Sequence, residues 1–530
     1  MFRSFSVLFK IYFAPVRYLF DRKLYAPRVT QERLLRRLVR NLSKTEYGEK
    51  LNVSAKDSYD EFKSKVPIVS YEQIASLVEK HRVSNAKALT PEKILMFEKT
   101  SGSTGNVKYI PYTKSLLRSF NRMFVLWCHD ILISGLSLRT GRIFMSVSPS
   151  FETDKKDGDS KQVGATSDLD YLSRWMAILM RQFLIVPTNV RRIKNPETYK
   201  FVVSLYLLSE EKLEIISVWS PTLIEMLFNY IEDNRESLLQ AWRVGRFNAE
   251  GLKFKLKLPS KEREHLLMAS PIEWNKLWPN LKLISCWSSA NAKPFAMRLQ
   301  AYFPLTILQG KGLLATEAPL TVPFIKYRQD VLLIDEVFFE FESSDGNILP
   351  LWEVKQGVKY KLIISQKSGL YRYRLGDMVI FIGFARRTPC FKFIGRDACS
   401  DLVGEKLNEE FVAERLDSIQ FLAETERVLL PVVSEAGKAY YLLLCERCAI
   451  PVEEMAEILD RRLKSSFQYQ CARDLQQLDA PKVQVTDDIS LKYLTYMLGT
   501  GVSLGNIKTP SLITSPKQAQ NFLGSIRPAH

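Results

Sequence analysis

Residues 98–115 read EKTSGSTGNVKYIPYTKS, and the nine positions from Thr100 to Lys108 hold four hydroxyl residues, two glycines and a closing lysine. The backbone N–H groups of Thr100, Ser101, Gly102, Ser103, Thr104 and Gly105 are unobstructed by large side chains, the hydroxyls add donors, and Lys108 adds a mobile positive charge. These are the requirements for holding a polyphosphate. The spacing is not that of a Walker loop, because the lysine has no glycine directly before it and no Ser or Thr directly after it. Taken alone, the stretch reads equally well as an ordinary surface connection.

Its surroundings are regular. "KILMFEKT" (93–100) enters the loop as an apolar strand, and "LLRSFNRMFVLWCHDILI" (116–133) leaves it with the periodicity of a helix. Helices are expected over much of 30–82, from "QERLLRRLVRNL" to "VPIVSYEQIASLVEK". Short buried strands follow in "RIFMSVSPS", "LEIISVWSP", "LKLISCWSSA" and "PLTILQG", and a β-rich run extends from "DVLLIDEVFFEFES" to "FKFIGR". This alternation predicts an α/β fold with the ligand site outside the carboxyl ends of the strands. The polar stretch 151–170 reads as a loop, a lid or an idle excursion.

A boundary is expected at Gly395-Arg396-Asp397, with residues 1–395 as a large amino-terminal domain of several layers and 396–530 as a small mobile α+β domain. In the latter, "NEEFVAERLDSIQ" and "VEEMAEILDRRLKSSF" read as helices flanking the hairpin "RVLLPVVSEAGKAYYLLLCE", which turns at Gly437.

Composition narrows the partners. With 530 residues, 46% of them hydrophobic, the chain can bury a large core, and 75 Lys and Arg against 58 Asp and Glu give a formal +17. That excess favours anionic ligands such as nucleotides, nucleic acid or a membrane surface. Seven scattered cysteines and four histidines offer no zinc pattern and suit thiols in a reducing, cytoplasmic setting. No apolar run is long enough to span a bilayer, and the amino terminus lacks the features of a cleaved signal peptide. The segment "FRSFSVLFKIYFAPVRYLFDRKLY" is expected either to lie on a membrane surface as a basic amphipathic element or to pack on the domain.

The loop does not stand alone. "TSGSTGNVK" resembles the phosphate-binding signature of the adenylate-forming superfamily, with Val107 where a proline is usual. Four stretches downstream resemble its other motifs in the right order: "LLATEAP", "YRYRLGDMV", "FKFIGRD" and "LGNIKTP". Within the superfamily, "TEYGE", "VPIVSYEQI", "GLYRYRLGD" and "IKTP" most resemble the auxin-responsive Gretchen Hagen type acyl acid amido synthetases, over about Gln31 to Pro510. "TSGSTG" and "ATE" look more like bacterial-type members than like the plant hormone enzymes. The sequence departs from the plant pattern at Leu313, where a tyrosine that stacks on adenine is usual.

The resemblance implies a ligase that makes an acyl-adenylate from ATP and a carboxylic acid and passes the acyl group to an amine, commonly an amino acid. It implies Thr316 near the α-phosphate and the carboxylate, Glu317 on Mg²⁺, Asp377 on the ribose hydroxyls, Arg396 at the hinge, and Lys508 as a late catalytic lysine swung in with the small domain. Ser289 and Ala290, in "CWSSANA", stand where the superfamily has a small-residue turn near adenine. Tyr371 and Tyr373 read either as walls of the site or as packing residues. The partners expected are ATP, an acid and an amine, with no nucleic acid; the oligomeric state is not legible. Two alternatives stand beside this reading: acyl transfer to coenzyme A, and a basic membrane-associated protein that keeps the fold without turnover. "LGTGVSL" (498–504) imitates a carrier-protein serine motif, but only a short tail follows Ser503.

Overall fold

The computed structural model describes residues 2–84, 86–101, 107–145, 174–289, 292–396, 399–400, 402–403, 405, 407–434, 438–474, 478–500, 502 and 507–526. The 151–170 stretch and the Gly437 turn lie outside them. The chain divides into two compact units. One comprises Met1–Lys99, Tyr109–Leu375 and Ile380–Phe393, and the other gathers Thr100–Lys108, Gly376–Val379 and Ile394–His530.

The first unit contains a four-stranded parallel sheet in the order Ile143–Met145, Ile215–Ser217, Leu283–Ser285, Ile307–Gln309. Register is simple, with Ile143 opposite Ile215, Ile215 opposite Leu283 and Leu283 opposite Ile307. The three strands to Ser285 are buried throughout, which is why they read as short apolar runs rather than as an alternation. Helices supply the crossovers: Pro196–Ser209 precedes the second strand, and Lys293–Tyr302 joins the third to the fourth. The strand carboxyl ends are Met145, Ser217, Ser285 and Gln309.

A seven-stranded sheet follows in the order Thr321–Phe324, Gln329–Leu332, Thr388–Arg396, Tyr373–Ala385, Lys359–Ser365, Phe338–Glu342, Ile348–Pro350. Its centre is aromatic: Phe341 stacks on Phe391 at 4.6 Å between ring centroids, and Phe381 lies 5.4 Å from Phe391. Helix Tyr59–Lys65 places the Tyr59 ring 5.8 Å from Phe338. Gln31, buried on helix Pro27–Leu42, donates to the carbonyls of Ile334 and Val337 and accepts from the Phe339 N–H, so no polar atom of its amide is wasted.

Helix Lys114–Ile133 begins where Thr113 accepts the Leu116 N–H at its first turn. It ends against helix Phe2–Lys23 through Phe9, Phe13 and Val125 and a buried pair between Arg17 and Asp130 at 2.8 Å.

The second unit is α+β. Arg427–Val433 and Ala439–Cys445 form an antiparallel hairpin, and Lys482–Val485 joins it in parallel. Side chains alternate across this sheet as period two requires. Leu429, Tyr441 and Leu443 face helices Glu409–Asp417 and Val452–Leu463, whereas Val428, Leu430, Leu442 and Leu444 face Ile489–Gly499 and Pro516–Ile526.

Candidate active site

Thr316 and Glu317 are the two residues of a tight hairpin turn, since Ala315 pairs with Ala318 and Leu314 with Pro319. The turn is fixed from its base. The N–H and carbonyl of Leu313 both bond to Thr321. Gly312 has φ +67°, and a Cβ there would stand 2.3 Å from the Thr321 hydroxyl, so only glycine fits without displacement.

Two buried tyrosines hold the turn's flanks. Tyr112, stacked on Phe120, donates its hydroxyl to the Thr316 carbonyl at 2.6 Å. Tyr373 donates to the Glu317 carboxylate at 3.4 Å. Burial, and next the Glu317 charge, push the Tyr373 phenol well above the ordinary tyrosine range, so it stays a donor at any physiological pH. The Glu317 side chain is half-buried on the turn.

Tyr373 is itself braced by its neighbour. Arg372, at φ +45°, pairs with buried Glu340 at 3.0 Å and donates to the carbonyls of Lys63 and Val66. Tyr59 gives Glu340 a further donor at 3.1 Å. This strut ties the "YRYR" segment to the helical layer.

The phosphate-loop candidate lies between strands Ile94–Ser101 and Val107–Thr113. Thr100 and Ser101 end the first strand and Lys108 stands near the start of the second, half-buried. Gly102, Ser103, Thr104 and Gly105 lie outside the described residues. Past the loop, the Tyr109 N–H donates to the Tyr71 hydroxyl at 2.8 Å, and Ser368 donates to the Pro111 carbonyl at 2.7 Å.

Asp377 is buried on strand Tyr373–Ala385, directly after Gly376 at φ +85°. Arg396 closes strand Thr388–Arg396. Lys508 is exposed between anchors: Ile507 is buried in the core, and Leu512 bridges to Leu429. The stretches carrying Lys108, Asp377 and Lys508, far apart in sequence, thus share one compact unit. Ser289 is half-buried after the third parallel strand; Ala290 lies outside the described residues.

One constellation went unread in the sequence. At the carboxyl ends of the parallel strands, Lys311 donates to Ser217 at 2.6 Å and lies 5.3 Å and 5.4 Å from the Trp127 and Trp219 rings. Trp127 donates in turn to Gln309 at 2.8 Å. A cation between two indoles offers an apolar wall with a charged end, which is what an organic acid needs. No local motif marks it, because its residues come from three separate segments, at 127, 217–219 and 309–311. Tyr112 was also missed, although its place in the alternation Ile110, Tyr112 marks it as inward-facing.

Comparison with known proteins shows the family of the chain. The GH3 family N-terminal domain matches residues 18–307, and the GH3 family central domain matches residues 330–396. The chain belongs to the GH3 family. Among its relatives, the 4-substituted benzoates-glutamate ligase GH3.12 of Arabidopsis thaliana is 24% identical over 433 residues, 74% of this chain and 73% of that protein. The jasmonoyl-L-amino acid synthetase JAR4 of Nicotiana attenuata is 23% identical over 542 residues, 91% and 90% of the two chains. In fold, the GH3 chain resembles the acyl acid amido synthetase AtGH3.15, solved with 2,4-DB, with a TM-score of 0.80 and 18% identity over 96% of this chain and 95% of that one. A 2-hydroxyisobutyryl-CoA ligase in the postadenylation state shares the fold more distantly, at TM-score 0.54 and 11% identity over 97% and 95%. The fold is therefore the one these two solved enzymes share, with a large amino-terminal domain and a smaller carboxy-terminal one.

Proposed function

We propose that this GH3 protein is an ATP-dependent amido synthetase, which activates a carboxylic acid as acyl-AMP and passes the acyl group to an amine, an amino acid above all, forming an amide. The observation that carries the reading is the Thr316–Glu317 turn, bonded by Tyr112 and Tyr373, in a chain of the GH3 family.

The chemistry asks for such a site. A carboxylate is a poor acyl donor because its leaving group would be oxide. Attack of a carboxylate oxygen on the α-phosphorus of ATP expels pyrophosphate and makes AMP the leaving group. Attack of the amine nitrogen on the acyl carbon then expels AMP, and the nitrogen loses a proton. The first step brings an anion to a polyanion, so fixed positive charge and N–H dipoles must offset the repulsion.

In this reading Lys108 and the 100–105 backbone hold the β- and γ-phosphates, Thr316 faces the α-phosphate and the acid, and Asp377 accepts the ribose hydroxyls. Arg396 and Lys508 add charge, Ser289 and Ala290 flank adenine, and the acid lies along Lys311, Trp127 and Trp219. The catalytic parts divide between an adenylation domain at 1–395 and a small domain at 396–530. The half-buried Glu317 carboxylate fits Mg²⁺, which takes one or two carboxylates and fills its shell from phosphates and water. Bound there, Mg²⁺ would neutralise phosphate charge as the adenylate forms. Among the described residues no group of three or more His, Cys, Asp or Glu side chains forms an all-protein cage, which leaves this shared mode. The described thiols Cys128, Cys286, Cys390, Cys445 and Cys448 are free, which suits a reducing cytoplasm, and the basic amino-terminal segment adds a peripheral membrane contact.

Incubating the purified protein with ATP, Mg²⁺, an acid panel and either amino acids or coenzyme A, with products identified by mass, tests the reading: amides support it, and thioesters alone would replace it. Lys508→Ala is expected to suppress adenylation while ATP still binds; an unchanged adenylation rate removes Lys508 from the mechanism. Asp377→Ala is expected to weaken ATP binding by roughly 1.5–3 kcal/mol, the worth of a hydrogen bond to a charged acceptor. Unaltered affinity in a nucleotide titration counts against the ribose role.

A further inference from the structure

The first 40 residues carry ten Lys and Arg against two acids, a net +8 within a chain of net +17. Helix Phe2–Lys23, which opens this segment, is apolar on two faces. Its inner face is spoken for: Phe9, Phe13 and Phe20 are buried, and Arg17 is locked to Asp130 at 2.8 Å and lies 4.1 Å from the Phe324 ring. Its outer face carries Val7, Leu8, Ile11, Tyr12, Tyr18 and Leu19, each between 52% and 71% exposed. Their spacing makes one stripe along the helix. Large apolar residues exposed singly are ordinary, but six on one helix mark an interaction surface.

Charge chooses the occupant. Arg3 and Arg22 are exposed near the two ends of the helix, and Arg33, Arg36, Arg37 and Arg40 are exposed on helix Pro27–Leu42. Among the described residues no carboxylate stands within ion-pair distance of these six. A second copy of the chain would set one +8 segment against another, which like-charge repulsion opposes. An anionic lipid surface meets both demands, taking the apolar stripe into the headgroup boundary while its phosphates meet the arginines. Tyr12 and Tyr18 suit that depth, where amphipathic rings concentrate. No helix among the described residues is long and apolar enough to cross a membrane, so the contact is lateral. We infer that the outward face of the amino-terminal helix docks the enzyme on an anionic phospholipid surface.

This inference deepens the peripheral contact proposed above and is independent of the ligase chemistry. It is tested by co-sedimentation of the full chain with vesicles of phosphatidylcholine alone, or of phosphatidylcholine mixed three to one with phosphatidylserine. Binding is expected to the mixed vesicles and to fall with salt. Leu8→Ser with Ile11→Ser should lower partitioning by about tenfold or more. Changing Arg33, Arg36, Arg37 and Arg40 together to Gln should lower it about as far, on the anionic vesicles only. Leu305→Ser, at an almost fully exposed leucine elsewhere, should change nothing. Acid-dependent pyrophosphate exchange by the same variants is expected to stay at the parent level, so a failed docking surface and a failed ligase are told apart. Parent protein left in the supernatant with the anionic vesicles overturns the inference. So does a Leu8/Ile11 variant that binds as the parent does while a dimer seen by sedimentation becomes a monomer.

Discussion

At the scale of single residues, the candidate site is braced by a buried ion pair. Arg372 and Glu340 are both buried, and their pair also satisfies two carbonyls of the helical layer. Removing one partner of such a pair strands the other charge, at a cost of about 3–5 kcal/mol. Arg372→Met is therefore expected to destabilise the first unit by that amount in urea titration, and Glu340→Leu added to it should restore part of the loss. A cost below about 1 kcal/mol for Arg372→Met would mean that Glu340 finds other solvation. In the sequence, "YRYRLGD" resembles a ribose-binding motif, and that resemblance is what singles out Asp377. Nothing there showed that Arg372 is a strut, because its partner lies 32 residues away and its carbonyl acceptors lie about 300 away.

Among elements, helix Ile489–Gly499 shows how two acids can serve one helix end and still burden it. Glu446 accepts the Ile489 N–H and Glu426 the Ser490 N–H, at 3.0 Å and 2.8 Å. Burial first, and then the Glu426 charge, push the Glu446 carboxyl up to about 7 from an ordinary 4.5. Between those two values the folded state keeps a proton that the unfolded chain releases, so stability falls as pH rises through this window. Glu446→Gln keeps the acceptor and removes the charge. It should melt higher than the parent at pH 8 by on the order of 2 °C, after allowance for solvent screening, and the gap should close near pH 5. A gap that is constant with pH would place the effect elsewhere.

Most elements were legible because their periodicity was strong. Helix Lys114–Ile133, the parallel strands and the Arg427–Cys445 hairpin stand where the patterns put them. The Leu314–Ala315 and Ala318–Pro319 strands were not legible, since two-residue strands carry no period. They are set by Gly312 and the bonds between Leu313 and Thr321.

For the whole molecule, the α/β order was readable because buried parallel strands and crossover helices alternate along the chain. The gathering of Thr100–Lys108 and Gly376–Val379 with Ile394–His530 was not, because it depends on contacts between stretches hundreds of residues apart. The +17 net charge exceeds what one nucleotide site requires, and +8 of it lies in the first 40 residues, the segment proposed to dock on anionic lipid. The central claim remains that this chain joins an acid to AMP.

The most direct measurement is incorporation of labelled pyrophosphate into ATP by the purified chain, with Mg²⁺, across a panel of carboxylic acids. The account predicts exchange that requires one or more of the acids and falls by about a hundredfold or more in Glu317→Gln, where the fixed charge at the turn is lost. Exchange that needs no acid, exchange that survives Glu317→Gln unchanged, or no exchange with any acid would contradict it.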